Sequence, residues 1–377
     1  MVYAVWVKYL IHIKLKSNRI IMIRLWHMND TIQIPQIISI FSKGEQLSSS
    51  EVMRRSPLNR SLVTIKRQLS TLTANGYLVQ SGAGRSVKYT LSKKGWLLKP
   101  INVNEYLKQD PDERLESRYL EFEVIEPPYI ELFSKTELAL LEMATKDFRA
   151  NSLNSDSAAR KKELQRFIVE FSWKTSRLEG NTYDLLSTER LLLYGEKNSE
   201  NTEHEAQMIL NQKNSLDFIL ENIEIWDNLK IGTLEQLHSL VGENLDISRN
   251  LRKTLVGITG TNYRPPESEF QIRDALELLF KYIKKANNIF EKALLSILGV
   301  SYIQPFVDGN KRTSRLLGNA MLISKNYAPL SYRSVNDREY KEACLVFYEQ
   351  NSIEPFKSLF IDQYIFSARN YNIAKKK

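Results

Sequence analysis

The stretch Gln304-Pro305-Phe306-Val307-Asp308-Gly309-Asn310-Lys311-Arg312-Thr313-Ser314-Arg315 decides how this chain is read. An apolar helical run, Ile289 to Ile303, leads into it, and a second run, Arg312 to Ser324, leads out. Between them sit a carboxylate, a Gly-Asn pair and three cations. A glycine allows close backbone approach. Amides that open a helix, with Lys and Arg beside them, make an anion site suited to phosphates. Asp308 is placed to hold the magnesium that phosphates bring along. Loop and helix together read as a nucleotide polyphosphate site.

Working outward, the length of 377 residues predicts about two or three domains, and 42% apolar residues are enough for packed cores. The single cysteine, Cys344, excludes an internal disulfide framework and suits a reducing cytoplasm. With four histidines and one cysteine, no zinc-ligand spacing can be written. The net charge of +9 is unevenly spread. Residues 1–100 hold 16 of the 53 Lys and Arg but only 3 of the 44 Asp and Glu. The basic character therefore belongs to the first hundred residues and points to an anionic partner there, nucleic acid first.

Residues 1–27 are a basic extension, apolar but broken by Lys8, Lys14, Lys16, Arg19 and Arg24. Their uncharged runs fall short of the ~18 residues of a membrane span, so no membrane insertion is expected. Two readings stay open: a basic interfacial helix, or a non-native extension ahead of a true start at Met28. Residues 28–100 read as a winged helix-turn-helix. Ile34, Ile37, Ile38 and Phe41 give a short amphipathic face closed by Gly44. Ser48, Ser49 and Ser50 offer an N-cap before a short helix, Glu51 to Arg55, which Pro57 ends. Leu62, Ile65, Leu69 and Leu72 line a longer helix that closes near Asn75-Gly76. Strands are predicted at Tyr77–Gln80 and Val87–Leu91. Arg60, Lys66 and Arg67 would then decorate a recognition helix, and Arg85 and Lys88 the wing, against double-stranded DNA. The alternative is the same fold used for protein contacts, with a solvated basic face.

Residues 101–160 read as a connector punctuated by Pro111 and Pro127-Pro128. From 161 the helical pattern returns, with Leu164, Phe167, Ile168 and Phe171 on one face, and it stops at Gly180-Asn181. Residues 182–222 continue helical, and a core begins near Thr233. His238 falls on the apolar side of its first helix and reads as a packed histidine. His204 reads as a solvated surface residue. Leu255-Val256-Gly257-Ile258-Thr259-Gly260 alternates as a short exposed hairpin. The stretch from Tyr340 to Asn370 reads as aromatic-rich core helix.

The 304–315 segment resembles the signature of the Fic (Fido-domain) family, HPFx(D/E)GN(G/K)RxxR. One position departs: the family's motif opens with His, and here Gln304 stands. Thr175-x-x-x-Glu179-Gly180 looks like the family's inhibitory motif, (S/T)xxxE(G/N). The resemblance implies a mainly α fold: an all-helical core over 233–377 with a β-hairpin flap, and an inhibitory helix and associated helices over 161–232. It implies transfer of AMP from ATP, with magnesium, to a protein hydroxyl on an unknown target or on the protein itself. Carried over by position, Asp308 would bind the metal. Backbone amides of Gly309, Asn310 and Lys311 would form the anion hole. The Asn310 side chain would hold the α-phosphate, Arg312 the β-phosphate, and Arg315 the γ-phosphate once Glu179 is away. Val256, Gly257, Ile258 and Thr259 would form the flap that docks a target by strand addition. Self-association is compatible with this reading. Gln304 takes up no proton near neutral pH. Loss of a positioned base costs about 10²–10⁴ in rate. The alternative is a catalytically silent Fic core serving a DNA-binding, nucleotide-responsive regulator.

Overall fold

A computed structural model describes residues 33–42, 44–57, 60–114, 131–153 and 156–374. The basic extension, 1–27, and Met28 lie outside them. The chain divides into two compact units after Leu91. Residues 92–100, expected to close the first unit, belong to the second, where Ile353 N donates to Leu97 O at 2.9 Å.

The first unit contains α1 (Gln33–Ile38), α2 (Ser49–Arg55), α3 (Leu62–Ala74), β1 (Leu78–Ser81) and β2 (Lys88–Leu91). The sequence punctuates it closely. Ser48 caps α2 in a reciprocal box with Glu51, and Ser61 caps α3 through Thr64 N. The strands pair antiparallel, Leu78 opposite Leu91, and Leu47 bridges Tyr89 on the other edge. Ile37, Phe41, Leu47, Val52, Ile65, Leu69 and Leu78 bury one shared core.

Among its described residues the second unit builds helices and no strand: α4 (Lys93–Leu97), α5 (Val103–Tyr106), α6 (Lys135–Leu153), α7 (Ser157–Leu178), α8 (Leu185–Tyr194), α9 (Glu203–Glu221), α10 (Ile231–Val241), α11 (Glu269–Lys285), α12 (Ile289–Ile303), α13 (Asn310–Ser324), α14 (Asp337–Gln350) and α15 (Glu354–Asn370). The hairpin α12–α13 is its centre. Both helices are buried almost all round, as a central pair must be. They approach closely because Gly318 faces Ile297: a Cβ there would stand 2.5 Å from Ile297 Cγ1. Gly299 likewise admits Leu279 of α11. None of the described helices is long and apolar enough to cross a membrane.

One expectation fails. Residues 255–260 form no hairpin: 251–266 is an irregular loop with a turn at Thr259-Gly260, where Gly260 takes φ +86°. A two-stranded ribbon with no face to bury is marginal in water. Here side chains claim its carbonyls instead: Arg252 takes Thr254 O and Pro266 O, and Arg114 takes Gly260 O.

Candidate functional site

The 304–315 segment turns between α12 and α13. Gln304 ends α12 in the left-handed region (φ +50°), and Gly309 opens α13 there (φ +78°). Gly309 is required. A Cβ would lie 3.3 Å from both His238 Nε2 and Val241 Cγ1, in a conformation already strained for other residues. His238 of α10 is fully buried, as the sequence indicated, and braces the loop. Its ring stacks on Phe306 (centroids 3.6 Å apart, planes at 3°), and its Nε2 donates to Asp308 O at 2.9 Å. Burial lowers its pKa from 6.5 to about 4. An unfolded chain takes up that proton near 6.5 and the folded one does not. Stability is therefore lost as pH falls from 6.5 towards 4, by up to about 3 kcal/mol. Urea titrations at pH 7 and pH 4.5 should show this loss, and His238→Asn should reduce it. An equal pH slope in wild type and variant would refute it.

No side chain caps α13. Its opening amides have no partner within the helix and carry the positive end of its dipole. The Asn310 side chain, expected on a phosphate, has another job. Its Oδ1 accepts from Phe306 N (2.9 Å), and its Nδ2 donates to Phe306 O (2.8 Å) and Gln304 Oε1 (3.0 Å). Both polar atoms of its side chain thus staple the loop. Gln304 is held at both ends, since its Nε2 donates to Ser301 O at 2.5 Å. Its oxygen keeps a second lone pair for a hydroxyl donor.

Arg252 is a residue that sequence reading missed. It is buried, and its Nε donates to Gln304 O (2.6 Å) while its backbone N donates to Pro305 O (2.9 Å). It joins the base of the 254–262 loop to the motif. Nothing in a lone Arg between Leu251 and Lys253 marks it in advance.

The two motif arginines differ. Arg312 pairs with Asp308 at 2.9 Å, its Nη1 is buried with no hydrogen-bond partner, and burial holds its pKa below the usual value. Asp308 is 68% exposed, so the carboxylate keeps a face towards solvent. Among the described residues no cluster of three metal-ligating side chains exists. A single exposed carboxylate nevertheless fits magnesium, which keeps waters and takes phosphates as its other ligands.

Arg315 is fully buried and engaged. Nε donates to Thr175 Oγ1 (2.6 Å), Nη2 to Thr175 O (3.0 Å) and Nη1 to Tyr340 OH (3.3 Å), and Nη1 pairs with Glu179 Oε1 (2.8 Å). Glu179 sits where α7 ends, and the turn after it places Gly180 at φ +98°. Its other oxygen stands 3.9 Å from Lys311 Nζ. Burial pushes the Glu179 carboxyl up, but Arg315, Lys311 and Arg312 outweigh it and hold it below the usual carboxylate range. The carboxylate thus stays charged and pairs with Arg315, with Lys311 close by.

Gly257 and Thr259 are exposed on the 254–262 loop, with Val256 and Ile258 partly covered. In the first unit Lys66 and Arg67 on α3, and Arg85 and Lys88 at the β1–β2 connection, are exposed, and Arg60 is half-buried. Cys344 is a buried core thiol.

Residues 228–322 match the model of the Fic/DOC family. The chain is 25% identical over 201 residues to a protein adenylyltransferase Fic of Nematostella vectensis, covering 51% of this chain and 46% of that protein. It is 23% identical over 185 residues to the protein adenylyltransferase fic-1 of Caenorhabditis elegans, covering 48% of this chain and 36% of that one. The matched stretch therefore spans less than half of either relative. Among solved structures, residues 134–508 of Fic-1 from C. elegans superpose with a TM-score of 0.53 at 20% identity, over 63% of this chain and 70% of that one. A Fic domain containing signaling protein from Bacteroides thetaiotaomicron gives 0.53 at 19% identity, over 63% and 100%. These superpositions establish a shared fold.

Proposed function

We propose that this chain, whose residues 228–322 match the Fic/DOC family model, is a protein adenylyltransferase scaffold, held off by Glu179 and slowed by Gln304. One observation carries the reading: the ion pair of Glu179 with Arg315, 2.8 Å apart, lies beside an uncapped helix start. A surface salt bridge would mean little. This carboxylate instead occupies a buried guanidinium one helical turn inside an anion-ready N-terminus.

ATP would lay its phosphates on the amides of Gly309, Asn310 and Lys311. The partnerless Arg312 donor would face the β-phosphate, and Arg315 the γ-phosphate after Glu179 withdraws. Magnesium carried by the phosphates would sit at Asp308 and neutralise their charge. An acceptor hydroxyl attacks the α-phosphorus, the bond to the leaving oxygen breaks, and pyrophosphate departs. Gln304 orients the hydroxyl through its amide oxygen but takes no proton, so the proton passes to water. The target strand would lie along Val256 to Thr259. Any modified protein should carry phosphorus from α-labelled ATP and none from γ-labelled ATP. A γ-label on protein would replace this reaction with phosphoryl transfer.

A second reading has its own support. Gln304 takes up no proton and both ends of its side chain bond the loop, which suits a binding module better than a catalyst, and the first unit is basic. In that reading nucleotide binding would govern a DNA-binding winged helix. Duplex DNA should bind the full chain in low salt, with affinity falling steeply on a log–log salt plot. Substituting Lys66 or Arg85 should flatten the slope by about one counterion each. A salt-independent shift would remove the nucleic-acid partner.

A further inference from the structure

The 254–262 loop has no strand partner among the described residues, yet it is not loose. Arg252 holds its beginning, as above. Its far end is held by residues about 150 positions upstream. Arg114 Nη2 donates to Gly260 O at 2.7 Å, and Asn262 Nδ2 donates to Pro111 O (3.1 Å) and to Asp112 Oδ1 (2.9 Å). Arg114 is in turn fixed from below. Its Nη1 pairs with Glu349 of α14 at 3.2 Å, both side chains being almost fully buried, and its guanidinium lies 5.8 Å from the centre of the Tyr106 ring. Tyr106 OH accepts from Gln350 Nε2, also on α14, at 3.0 Å. Between the two clamps lie residues 255–259, and a Cβ on Gly257 would meet nothing within 4 Å.

We propose that Arg114 is a positioning residue for the protein acceptor: by fixing the Gly260 carbonyl it sets the height and register at which an extended target segment lies along residues 255–259. This rests on the reading of that loop as the docking strand. Three features support it. An arginine buried against a carboxylate is costly to keep for packing alone, since an apolar pair of similar volume usually serves as well. The bond goes to a backbone carbonyl at the turn, so it fixes main-chain position, which is what strand addition reads. And Arg252 links the same loop to the Gln304 carbonyl, so a shift at one clamp changes where the acceptor hydroxyl meets the α-phosphorus. A misplacement of about 1 Å can cost about 10²-fold in rate.

The test uses the full chain carrying Gln304→His and Glu179→Gly, with α-labelled ATP and casein as a generic protein acceptor. Adding Arg114→Met with Glu349→Leu removes the clamp without stranding a buried charge. The expected result is a rise of at least tenfold in KM for casein, with the Kd for ATP unchanged within about twofold. Hydrogen exchange should quicken for amides 255–262 and stay constant in α12 and α13. Unchanged exchange in that loop, or a parallel loss of ATP affinity, would overturn the proposal. Gly257→Pro separates the two ideas. If it blocks casein labelling while the Arg114 variant does not, the clamp alone is wrong. If it leaves labelling intact, the loop is not the docking strand and both fall.

Discussion

Incubated with α-labelled ATP and magnesium, the Gln304→His, Glu179→Gly double variant is expected to label protein about 10²–10⁴-fold faster than Glu179→Gly alone. The two substitutions act at different places. Glu179 lies over the Arg315 and Lys311 cations, and under the proposed reading its removal would open them to phosphate. Gln304, at the reacting position in the proposed transfer, is 8% exposed, with its oxygen held by Asn310. A carboxamide offers a hydroxyl only a hydrogen bond, whereas a neutral imidazole takes the proton as the oxygen–phosphorus bond forms. The backbone should accept the change, since histidine is among the residues that tolerate the left-handed region Gln304 occupies. Equal labelling by Glu179→Gly alone would show that the amide suffices and that proton removal does not limit the rate.

The second large effect is on ATP itself. Calorimetry should show magnesium-ATP binding at least tenfold tighter to Glu179→Gly than to wild type. In the resting chain Arg315 already has four contacts, from Thr175, Tyr340 and Glu179. A γ-phosphate arriving there meets a resident carboxylate whose charge the surrounding cations stabilise. Removing that carboxylate leaves Arg315 buried with less compensating charge, so the free variant should be less stable than wild type. The ligand should restore what was lost: at about 100 times its Kd, ATP contributes about 2.7 kcal/mol. A melting temperature that starts lower in Glu179→Gly and rises further with magnesium-ATP would be the linked signature. Identical ATP affinity in the two proteins would mean that Glu179 does not guard the phosphate site.

Local chemistry made much of this legible. The serines at 48–50 ahead of Glu51, and the apolar stripe of Leu62, Ile65, Leu69 and Leu72, announce helices that form close to where the pattern puts them. Gly309-Asn310 between two apolar runs announces a helix start. The Glu179-Gly180 stop is legible because a glycine that must take a positive φ after a helix is a local requirement. The loop at 255–260 misled for the same reason. Alternating Val and Ile specify strand geometry but not a partner, and what holds the segment is arginines at its two ends, Arg252 on Thr254 O and Arg114 on Gly260 O.

By itself, then, the sequence determined most of the helices and their caps, the helix start at Gly309-Asn310 and the helix stop at Glu179-Gly180, because each follows from residues within a few positions of one another. Tertiary structure alone decided the rest. It turned the Asn310 side chain inward onto Phe306, stacked His238 under the motif, and brought Thr175 and Tyr340 to Arg315 across 140 and 25 residues of chain. Arg114 reaches Gly260 across 146. Such contacts have no local signature, because a buried donor takes whichever carbonyl the packing of the helices brings within reach.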